Sequence, residues 1–431
     1  MNMREMKDSG ISWIPKIPIN WSIHRLKYIV DSLSKGNGIT KEDVLLNGDT
    51  PCVRYGEIYS KYDYSFTTCI SRTNVDKVSS PQYFSYGDIL FAGTGELIEE
   101  IGMNIVYLGD YDCLAGGDII IARHQQNPAF LNYALNSGYI QSQKGFGKAK
   151  LKVVHISAFD LGNLIVALPP ITEQKLIADY LDSKCAEFNS TLSDIQSQIE
   201  ALEEYKRSVI TEVVTKGLDP DVEMRDSGIA WVGDIPAHWI THPLYFYFGE
   251  RKNKNALGLE TNLLSLSYGK IIRKDINSNG GLLPESFNTY NIIEKDDIII
   301  RPTDLQNDKR SLRTGIAREH GIITSAYIAM KAIKTVNPEY FHYLLHAYDV
   351  MKVFYNMGNG VRQGLNFSEF SRLMVFEPAI EEQNAIVSYL KEKCDEIDLA
   401  IAEKKQQIET IEEYKKSLIF EYVTGKKEVQ A

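Results

Sequence analysis

The chain has 431 residues, of which 44% are hydrophobic and 24% are charged, and its formal net charge is −10. This composition is ordinary for globular proteins and excludes a disordered or fibrous chain, and the length allows two or three domains. No apolar run reaches the ~20 residues of a membrane span, and the first residues lack the apolar core of a signal peptide. We therefore expect a cytoplasmic protein with no membrane segment.

An opening motif occurs twice, as MKDSGISWIPKIPINW at residues 6–21 and as MRDSGIAWVGDIPAHW at residues 224–239, and it contains all four tryptophans. We expect each copy to run along the outside of a small domain and to hold that domain with two indoles. Stacking of the indoles on nucleic-acid bases is the alternative interpretation.

Each half of the chain continues with short strands and turns. Residues 55–58 correspond to residues 268–271. Residues 87–91 correspond to residues 296–300, and this second pair predicts a turn followed by a buried strand. The loops that follow differ: AGTGELIEEIG begins at Ala92, whereas the longer RPTDLQNDKRSLRTG begins at Arg301. Matching scaffolds with divergent loops predict one architecture that reads two different targets.

Residues 127–130 (Asn-Pro-Ala-Phe) and 337–340 (Asn-Pro-Glu-Tyr) are similar to the Asn-Pro-Pro-aromatic motif of adenine methyltransferases. The second proline is absent, and an Asn N-cap followed by Pro at the first helical position accounts for both copies. We predict helix caps, and a self-sufficient methyltransferase is the alternative.

Glycine-rich segments follow, GFGKAKLK at residues 145–152 and GNGVRQGLN at residues 358–366. Glycines let backbone amides approach a phosphate, and Lys148, Lys150 and Arg362 add positive charge beside them. A flexible surface loop with solvated cations explains the same pattern, and both interpretations stay open.

Two long charged segments, Ile171 to about Thr215 and Ile380 to about Thr424, predict helices that align without a gap at an offset of 209 residues. Their apolar residues recur in steps of three and four, which is the seam of a coiled coil. We expect the two copies to pair within the chain, and dimerisation between chains is the alternative. The predicted seam residues are Phe188, Leu192, Ile195, Ile199, Leu202, Ile397, Ile401, Ile408 and Ile411.

The negative charge is concentrated on these helices. Residues 171–218 and 379–431 carry −4 each, whereas residues 1–170 and 219–378 carry −1 each. The globular parts are therefore free to approach an anion through local clusters.

Motifs for catalysis are missing from the sequence. There is no phosphate-binding G-x-x-x-x-G-K-[ST] loop, no Gly-x-Ser-x-Gly elbow and no convincing nuclease carboxylate cluster. His342 and His346 have a spacing that zinc ligands use, but no H-E-x-x-H surrounds them, and we predict an ordinary helix face. The five scattered cysteines predict reduced thiols. We expect a binding protein.

These features resemble the specificity subunit of a type I restriction-modification system over essentially the whole chain. The most specific marks are the duplicated opening motif, the P-x-I-x-E-Q helix start and the E-E-Y-K-[RK]-S helix end. The resemblance implies an α+β fold with two similar mixed α/β target recognition domains, two long antiparallel coiled-coil helices and an internal pseudo-twofold repeat. The implied segments are a first target recognition domain at 1–170, a central helical spacer at 171–218, a second target recognition domain at 219–378 and a C-terminal helical spacer at 379–431.

The resemblance also implies a division of labour. Each domain would read one half of a split, asymmetric double-stranded DNA sequence, while the helices fix the unread spacer and dock partners. Two modification subunits would bring S-adenosylmethionine and methylate adenine, and restriction subunits would bring ATP and Mg for translocation and cleavage. No cofactor, metal or catalytic residue is then expected in this chain. A protein scaffold with duplicated interaction domains and no DNA role is the alternative.

By this resemblance we predict base contacts from the divergent loops and the segments beside them. Arginine can pair with guanine, and glutamine or asparagine with adenine, while structural ion pairs are the alternative for each residue. The near-neutral domains predict that the modification subunits supply much of the phosphate contact, so the isolated chain should bind DNA poorly. The predicted DNA-binding residues are Arg54, Tyr55, Thr94, Glu96, Lys148, Lys150, Tyr268, Arg301, Asp304, Gln306, Asn307, Arg310, Arg313 and Arg362.

Overall fold

The computed structural model describes residues 4–148, 153–276, 284, 286–303, 305, 312–357 and 364–429. The chain divides into two compact units, Met1–Ile195 with Gln406–Ala431, and Gln196–Lys405. Each unit therefore holds one globular domain and one part of each long helix. Within the described residues, no helix combines the length and the apolar character that a membrane span requires.

The domain of the first unit consists of short strands and short helices, followed by a long helix that continues into the second unit. Its strands are β1 (Met6–Ile11), β2 (Ile14–Pro18), β3 (Ser22–Arg25), β4 (Val30–Lys35), β5 (Thr50–Val53), β6 (Ser65–Phe66), β7 (Ser71–Thr73), β8 (Tyr83–Phe84), β9 (Ile89–Ala92), β10 (Thr94–Gly95), β11 (Asn104–Tyr107), β12 (Cys113–Ala115), β13 (Ile119–His124), β14 (Val154–His155) and β15 (Ile165–Leu168). Its helices are α1 (Tyr55–Ser60), α2 (Pro128–Asn136), α3 (Gly138–Gly145), α4 (Ala158–Gly162) and the long α5 (Ile171–Lys216).

The domain of the second unit repeats this order, and the chain closes with the second long helix. Its strands are β16 (Met224–Asp226), β17 (Asp234–Pro236), β18 (Ile240–Pro243), β19 (Phe248–Glu250), β20 (Leu264–Ser267), β21 (Lys270–Arg273), β22 (Asn291–Ile293), β23 (Ile298–Ile300), β24 (Thr314–Ile316), β25 (Gly321–Ile323), β26 (Ile328–Ala332) and β27 (Met374–Glu377). Its helices are α6 (Pro338–Val350), α7 (Phe367–Phe370) and the long α8 (Ile380–Val423).

A central sheet recurs in both units. Its strand order is β4-β13-β9-β11-β6 in the first unit and β19-β26-β23-β24 in the second, so four successive strands correspond. Registers agree as well, because Phe91 pairs with Asn104 in the first unit and Ile300 pairs with Thr314 in the second. The strands β9 and β23 are buried along their whole length, as their continuous apolar sequences predict. The predicted mixed fold with an internal repeat is confirmed.

The two long helices run antiparallel wherever they pair. In the first unit the ring centroids of Tyr180 and Tyr422 lie 4.6 Å apart, and those of Phe188 and Tyr414 lie 5.6 Å apart. Residue numbers therefore increase along α5 as they decrease along α8. In the second unit Lys206 lies 2.7 Å from Asp398 and Lys404 lies 2.5 Å from Gln198, so the two helices again run in opposite directions. The predicted seam residues Ile195, Ile199, Ile397 and Ile401 are buried, and Phe188, Leu192, Leu202, Ile408 and Ile411 are half-buried.

Each long helix begins with a Glu-Gln pair that joins three of the repeated motifs. The indole N–H of Trp21 donates to Glu173 at 3.1 Å, and the indole N–H of Trp239 donates to Glu382 at 3.0 Å. The next residue, Gln174, is buried and accepts from the amide of Asn127 at 3.0 Å. These contacts tie the opening motif and the Asn-Pro helix to the start of the long helix.

The corresponding glutamine in the second unit makes the same contacts. Gln383 accepts from the amide of Asn337 at 2.8 Å and donates to the carbonyl of Pro378 at 2.9 Å. The repeated sequence marks are thus the parts of a repeated joint between each domain and its long helix.

The tryptophans depart from the expectation that two indoles hold each domain. Trp21 and Trp239 are buried, whereas Trp13 and Trp231 are exposed by 40% and 44%. The buried indole of each motif donates to a half-buried glutamate, Trp21 to Glu173 and Trp239 to Glu382, which satisfies its N–H inside the domain.

A second departure concerns the corresponding tyrosine segments, where short strands and turns were expected in both halves. The first segment forms helix α1, because Glu57 at its third position accepts from the amide of Arg54 at 3.0 Å and stabilises the helix start. The second segment forms a hairpin between β20 and β21 instead. Lys270 stands at the position of Glu57 and has no acceptor for such a cap.

Candidate nucleic-acid interface

Two loops that differ in sequence between the units leave the central sheet at equivalent points. We call residues 92–103 the first divergent loop and residues 301–313 the second divergent loop. Each is closed at its base by one backbone hydrogen bond, from Ala92 N to Met103 O at 2.9 Å and from Arg301 N to Arg313 O at 2.8 Å. A common scaffold therefore presents two chemically different loops.

The first divergent loop presents carboxylates. Glu96, Glu99 and Glu100 are exposed, and the loop contains no lysine or arginine. Thr94 is buried, and its hydroxyl lies 3.1 Å from Nδ1 of His155, so that side chain is engaged within the domain. Glu96 could accept a hydrogen bond from a cytosine amino group, whereas Thr94 supports the loop.

Helix α1 lies directly beside the first divergent loop. The hydroxyl of Tyr59 donates to the carbonyl of Thr94 at 3.1 Å, and the side chain of Tyr55 is exposed at the start of the helix. The Arg54 guanidinium lies 3.0 Å from the buried Glu57 carboxylate, which also accepts from Ser71 at 2.5 Å. The structure thus brings Tyr55 to the loop and commits Arg54 to an internal ion pair.

The glycine-rich segment of the first unit contributes one cation to the described surface. The Lys148 ammonium lies 2.9 Å from the carboxylate of Asp160, and about a fifth of its side chain is exposed. Its charge is therefore partly neutralised within the domain. Lys150 lies outside the described residues.

The second divergent loop is described only near its two ends. Arg301 is half-buried, and Arg313 is fully buried, with its guanidinium donating to the carbonyl of Thr303 at 2.7 Å. The predicted base contact through Arg313 needs correction, because this side chain points into the protein and braces the loop. The predicted residues Asp304, Gln306, Asn307, Arg310 and Arg362 lie outside the described residues.

The β20–β21 hairpin presents a tyrosine next to the second divergent loop. Tyr268 is 80% exposed and, with Gly269, forms a two-residue turn in which both residues have left-handed backbone angles. A Cβ on Gly269 would lie 3.1 Å from Cβ of Leu312, which places the hairpin tip against the end of the loop. An aromatic side chain therefore adjoins the divergent loop in both units, Tyr55 in the first and Tyr268 in the second.

The two Asn-Pro tetrads serve as helix starts, as predicted. The Asn127 side chain accepts from the amide of Phe130 at 2.9 Å, and the Asn337 side chain accepts from the amide of Glu339 at 2.9 Å. These side-chain oxygens are occupied by the helix amides that a cap satisfies.

The two histidines of α6 are half-buried in the second unit. Burial lowers the pKa of His342 to about 3 and the pKa of His346 to about 4. Within the described residues, no group of three or more His, Cys, Asp or Glu side chains could hold a metal ion. This arrangement matches the predicted helix face.

Residues 18–201 match the family described as the type I restriction modification DNA specificity domain. A Methanocaldococcus jannaschii protein named as the type I restriction enzyme MjaX specificity subunit is 26% identical over 426 residues, covering 96% of this chain and 95% of the relative. Residues 18–201 therefore carry the DNA specificity domain of this family, and nearly the whole chain is similar to a type I specificity subunit. This confirms the family expected from the duplicated motifs.

Two further comparisons agree with this assignment of the specificity subunit. The M. jannaschii type I restriction enzyme MjaVIII specificity subunit is 25% identical over 316 residues, which cover 69% of each chain. One solved chain, from work on complex assembly and conformational transition of the type I R-M system, superposes with a TM-score of 0.70 at 14% identity. The superposition covers 95% of this chain and 99% of that one, and it shows a shared fold.

Sequence reasoning about this specificity subunit missed the groups that support the divergent loops. Lys144 is buried and donates to the carbonyl of Gly102 at 2.7 Å, and Asp349 accepts from the amide of Arg313 at 2.5 Å. Both partners lie 36 or more residues away along the chain. The sequence gives one signal for the role of Lys144: it lies in the last turn of a helix whose other residues are uncharged.

Proposed function

We propose that each unit of this specificity subunit reads one half of a split, asymmetric DNA sequence. The observation that carries the proposal is the repeated sheet with its chemically different loops at equivalent positions. Similar scaffolds place the loops at equivalent points of their own sheets, and the loops differ in charge and length. Two similar reading domains with different loops are suited to two different half-sites.

The tyrosine elements and the divergent loops together form the proposed reading surface of each unit. In the first unit this surface comprises Tyr55 and Glu96, with Thr94 and Arg54 behind them. In the second unit it comprises Tyr268 and Arg301 with the rest of the second divergent loop. Base edges are read by hydrogen bonds and apolar contacts of this kind, whereas contacts to phosphates fix position.

We further propose that the chain is non-catalytic and works in the cytoplasm with other subunits. Two modification subunits would carry S-adenosylmethionine and methylate adenine, and restriction subunits would carry ATP and Mg. The capping role of Asn127 and Asn337 supports this division, because a helix start accounts for both asparagines without an adenine site. The long helices would set the unread spacer and offer docking surfaces to the modification subunits.

The distribution of charge supports the proposal that this chain needs its partner subunits to bind DNA. The first divergent loop carries three exposed carboxylates, and both Arg54 and Lys148 are engaged in internal ion pairs. Strong DNA binding needs several free cations that neutralise phosphates. The isolated chain is therefore expected to bind DNA weakly, and tight, sequence-specific binding by the purified chain alone would contradict this part of the proposal.

Exchange of one domain tests the proposal directly. Residues 219–378 would be replaced by the corresponding segment of a relative with a different target, and adenine methylation would be mapped in cells that supply the modification subunit. One half of the methylated sequence should change and the other half should stay. A methylated sequence that stays the same after the exchange would instead favour a protein scaffold without a DNA role.

A further inference from the structure

In each unit a buried cation holds the divergent loop at the point where the loop joins the sheet. In the first unit the cation is Lys144 at the end of α3, with 1% of its surface exposed. In the second unit it is Arg313, the last residue of the loop, which is 0% exposed. A buried cation is costly unless hydrogen bonds replace its water, so its presence at both equivalent points calls for a physical reason.

Lys144 fastens the outgoing end of the first divergent loop. Its ammonium donates to the carbonyl of Gly102 at 2.7 Å and to Oδ1 of Asn104 at 2.9 Å, and it lies 5.4 Å from the ring centroid of Phe91. Gly102 has a left-handed φ of +68°, and a Cβ there would lie 3.2 Å from Cδ of Lys144. Glycine at this position therefore lets the lysine reach the loop.

Helix α2 completes the same fastening. The amide of the Asn104 side chain donates to Oδ1 of Asn132 at 2.8 Å, and the Asn136 side chain donates to the carbonyl of Asn104 at 2.7 Å. Burial without a described carboxylate partner lowers the pKa of Lys144 to about 7. The first loop is thus fixed through a buried polar network that two helices supply.

Arg313 fastens the second divergent loop by a different route. Its guanidinium reaches back across the loop base to the carbonyl of Thr303 at 2.7 Å, and its amide donates to the carboxylate of Asp349 on α6 at 2.5 Å. Strand β24, which begins at the next residue, packs against the same helix. The outgoing end of the loop is therefore fixed to α6, and the Arg313 side chain links it to the incoming end at Thr303.

We propose that Lys144 and Arg313 are positioning residues for DNA recognition, each setting the specificity for one half of the split target. This inference rests on the proposed function. A loop fastened at its base presents its tip in one path, and contacts to base edges tolerate little displacement. Loss of one fastening should therefore relax recognition in one half-site and leave the other half-site unchanged.

The test uses the full chain with its modification subunit and maps adenine methylation by single-molecule sequencing. Lys144→Met should reduce discrimination among bases by about tenfold in the half read by the first unit only. Arg313→Met should do the same in the other half only. The exchange of residues 219–378 identifies which half belongs to which unit.

Matched controls separate the effect of losing a buried cation from the effect of losing any positive charge. Lys16 and Lys252 are exposed cations of the first and second units, and Lys16→Met and Lys252→Met should leave both halves of the methylated sequence unchanged. A purely structural role for the buried cations would lower methylation of the whole target and leave the discrimination among bases unchanged in both halves. That result, in protein that still associates with the modification subunit, would overturn the inference.

Failure of the inference can be told from failure of the proposed function. If the unaltered chain directs no methylated motif, the proposed function fails. If it directs a motif and both methionine variants keep full discrimination, only the inference fails. If the methionine variants do not fold, Lys144→Arg and Arg313→Lys take their place, because they keep the charge and move the hydrogen-bond donors. Unchanged discrimination among bases in both of these variants would also overturn the inference.

Discussion

The indole N–H of Trp239 donates a hydrogen bond to the carboxylate of Glu382 at 3.0 Å, across the joint between the second domain and helix α8. The first unit repeats the contact between Trp21 and Glu173 at 3.1 Å. Because the carboxylate is charged and the indole is buried, each contact is a charge-assisted hydrogen bond in a partly desolvated place. Each domain is held to its long helix in the same way.

The first prediction concerns this joint. Trp21→Phe removes the donor, keeps most of the apolar volume and leaves the Glu173 carboxylate with fewer partners. The free energy of unfolding of the first unit should fall by about 2 kcal/mol. Urea denaturation measures the loss. Trp13→Phe is the matched control, because Trp13 is exposed; an equal loss in both variants would contradict the assigned role of Trp21.

The second prediction concerns a lysine in the helix seam. Lys404 occupies the position that Ile195 holds in the other helix, is half-buried, and donates to Oε1 of Gln198 at 2.5 Å. Lys404→Ile should stabilise the second unit by about 1 kcal/mol, because an apolar side chain suits the seam better. Lys405→Ile, at an exposed position, should bring no gain in thermal denaturation. Destabilisation by Lys404→Ile would show that the lysine is needed for pairing.

The third prediction concerns acid stability. Burial lowers the pKa of His342 to about 3 and of His346 to about 4, below the value of about 6.5 for an unfolded histidine. The unfolded state therefore binds more protons below pH 6.5, and the free energy of unfolding falls as the pH is lowered from 6.5 towards 4. The combined slope reaches at most about 2.7 kcal/mol per pH unit.

Denaturation of the His342→Gln, His346→Gln double variant between pH 7 and pH 4.5 checks this prediction. The variant should show a flatter dependence of stability on pH than the unaltered chain. His24→Gln, which alters an exposed histidine of the first unit, should keep the original dependence. Parallel pH curves for the double variant and the unaltered chain would contradict the assigned burial.

The fourth prediction concerns the helices as spacers. The division between the units falls between Ile195 and Gln196 in α5 and between Lys405 and Gln406 in α8. Insertion of one heptad at both points keeps the seam in register and adds about 10 Å of helix. The unread spacer of the methylated sequence should lengthen by about three base pairs. The same insertion in α5 alone breaks the pairing and should abolish methylation; an unchanged spacer after the double insertion would show that the helices do not set it.

The repeat and the long helices could be read from the sequence because their signals are local or periodic. The seam from Phe188 onwards follows the helical period, and the caps at Asn127 and Asn337 depend on neighbours within three residues. The family followed from motifs that recur at a fixed offset. These features need no knowledge of distant contacts.

The surroundings of the candidate site could not be read in this way. The burial of Arg313 depends on Asp349, and the role of Lys144 depends on Gly102, so both arise from contacts between distant segments. Arg54 was predicted to contact bases, but its pairing with Glu57 follows from the start of α1, which the similar segment around Tyr268 does not form. Charged residues near a loop look alike in sequence until folding decides which of them face inward.

The most direct measurement is single-molecule mapping of adenine methylation in DNA from cells that carry the modification subunit, with and without this chain. We predict a split, asymmetric motif that appears only when the chain is present, with two different halves around an unread spacer. Absence of any chain-dependent motif, while both proteins are soluble and associated, would contradict this prediction.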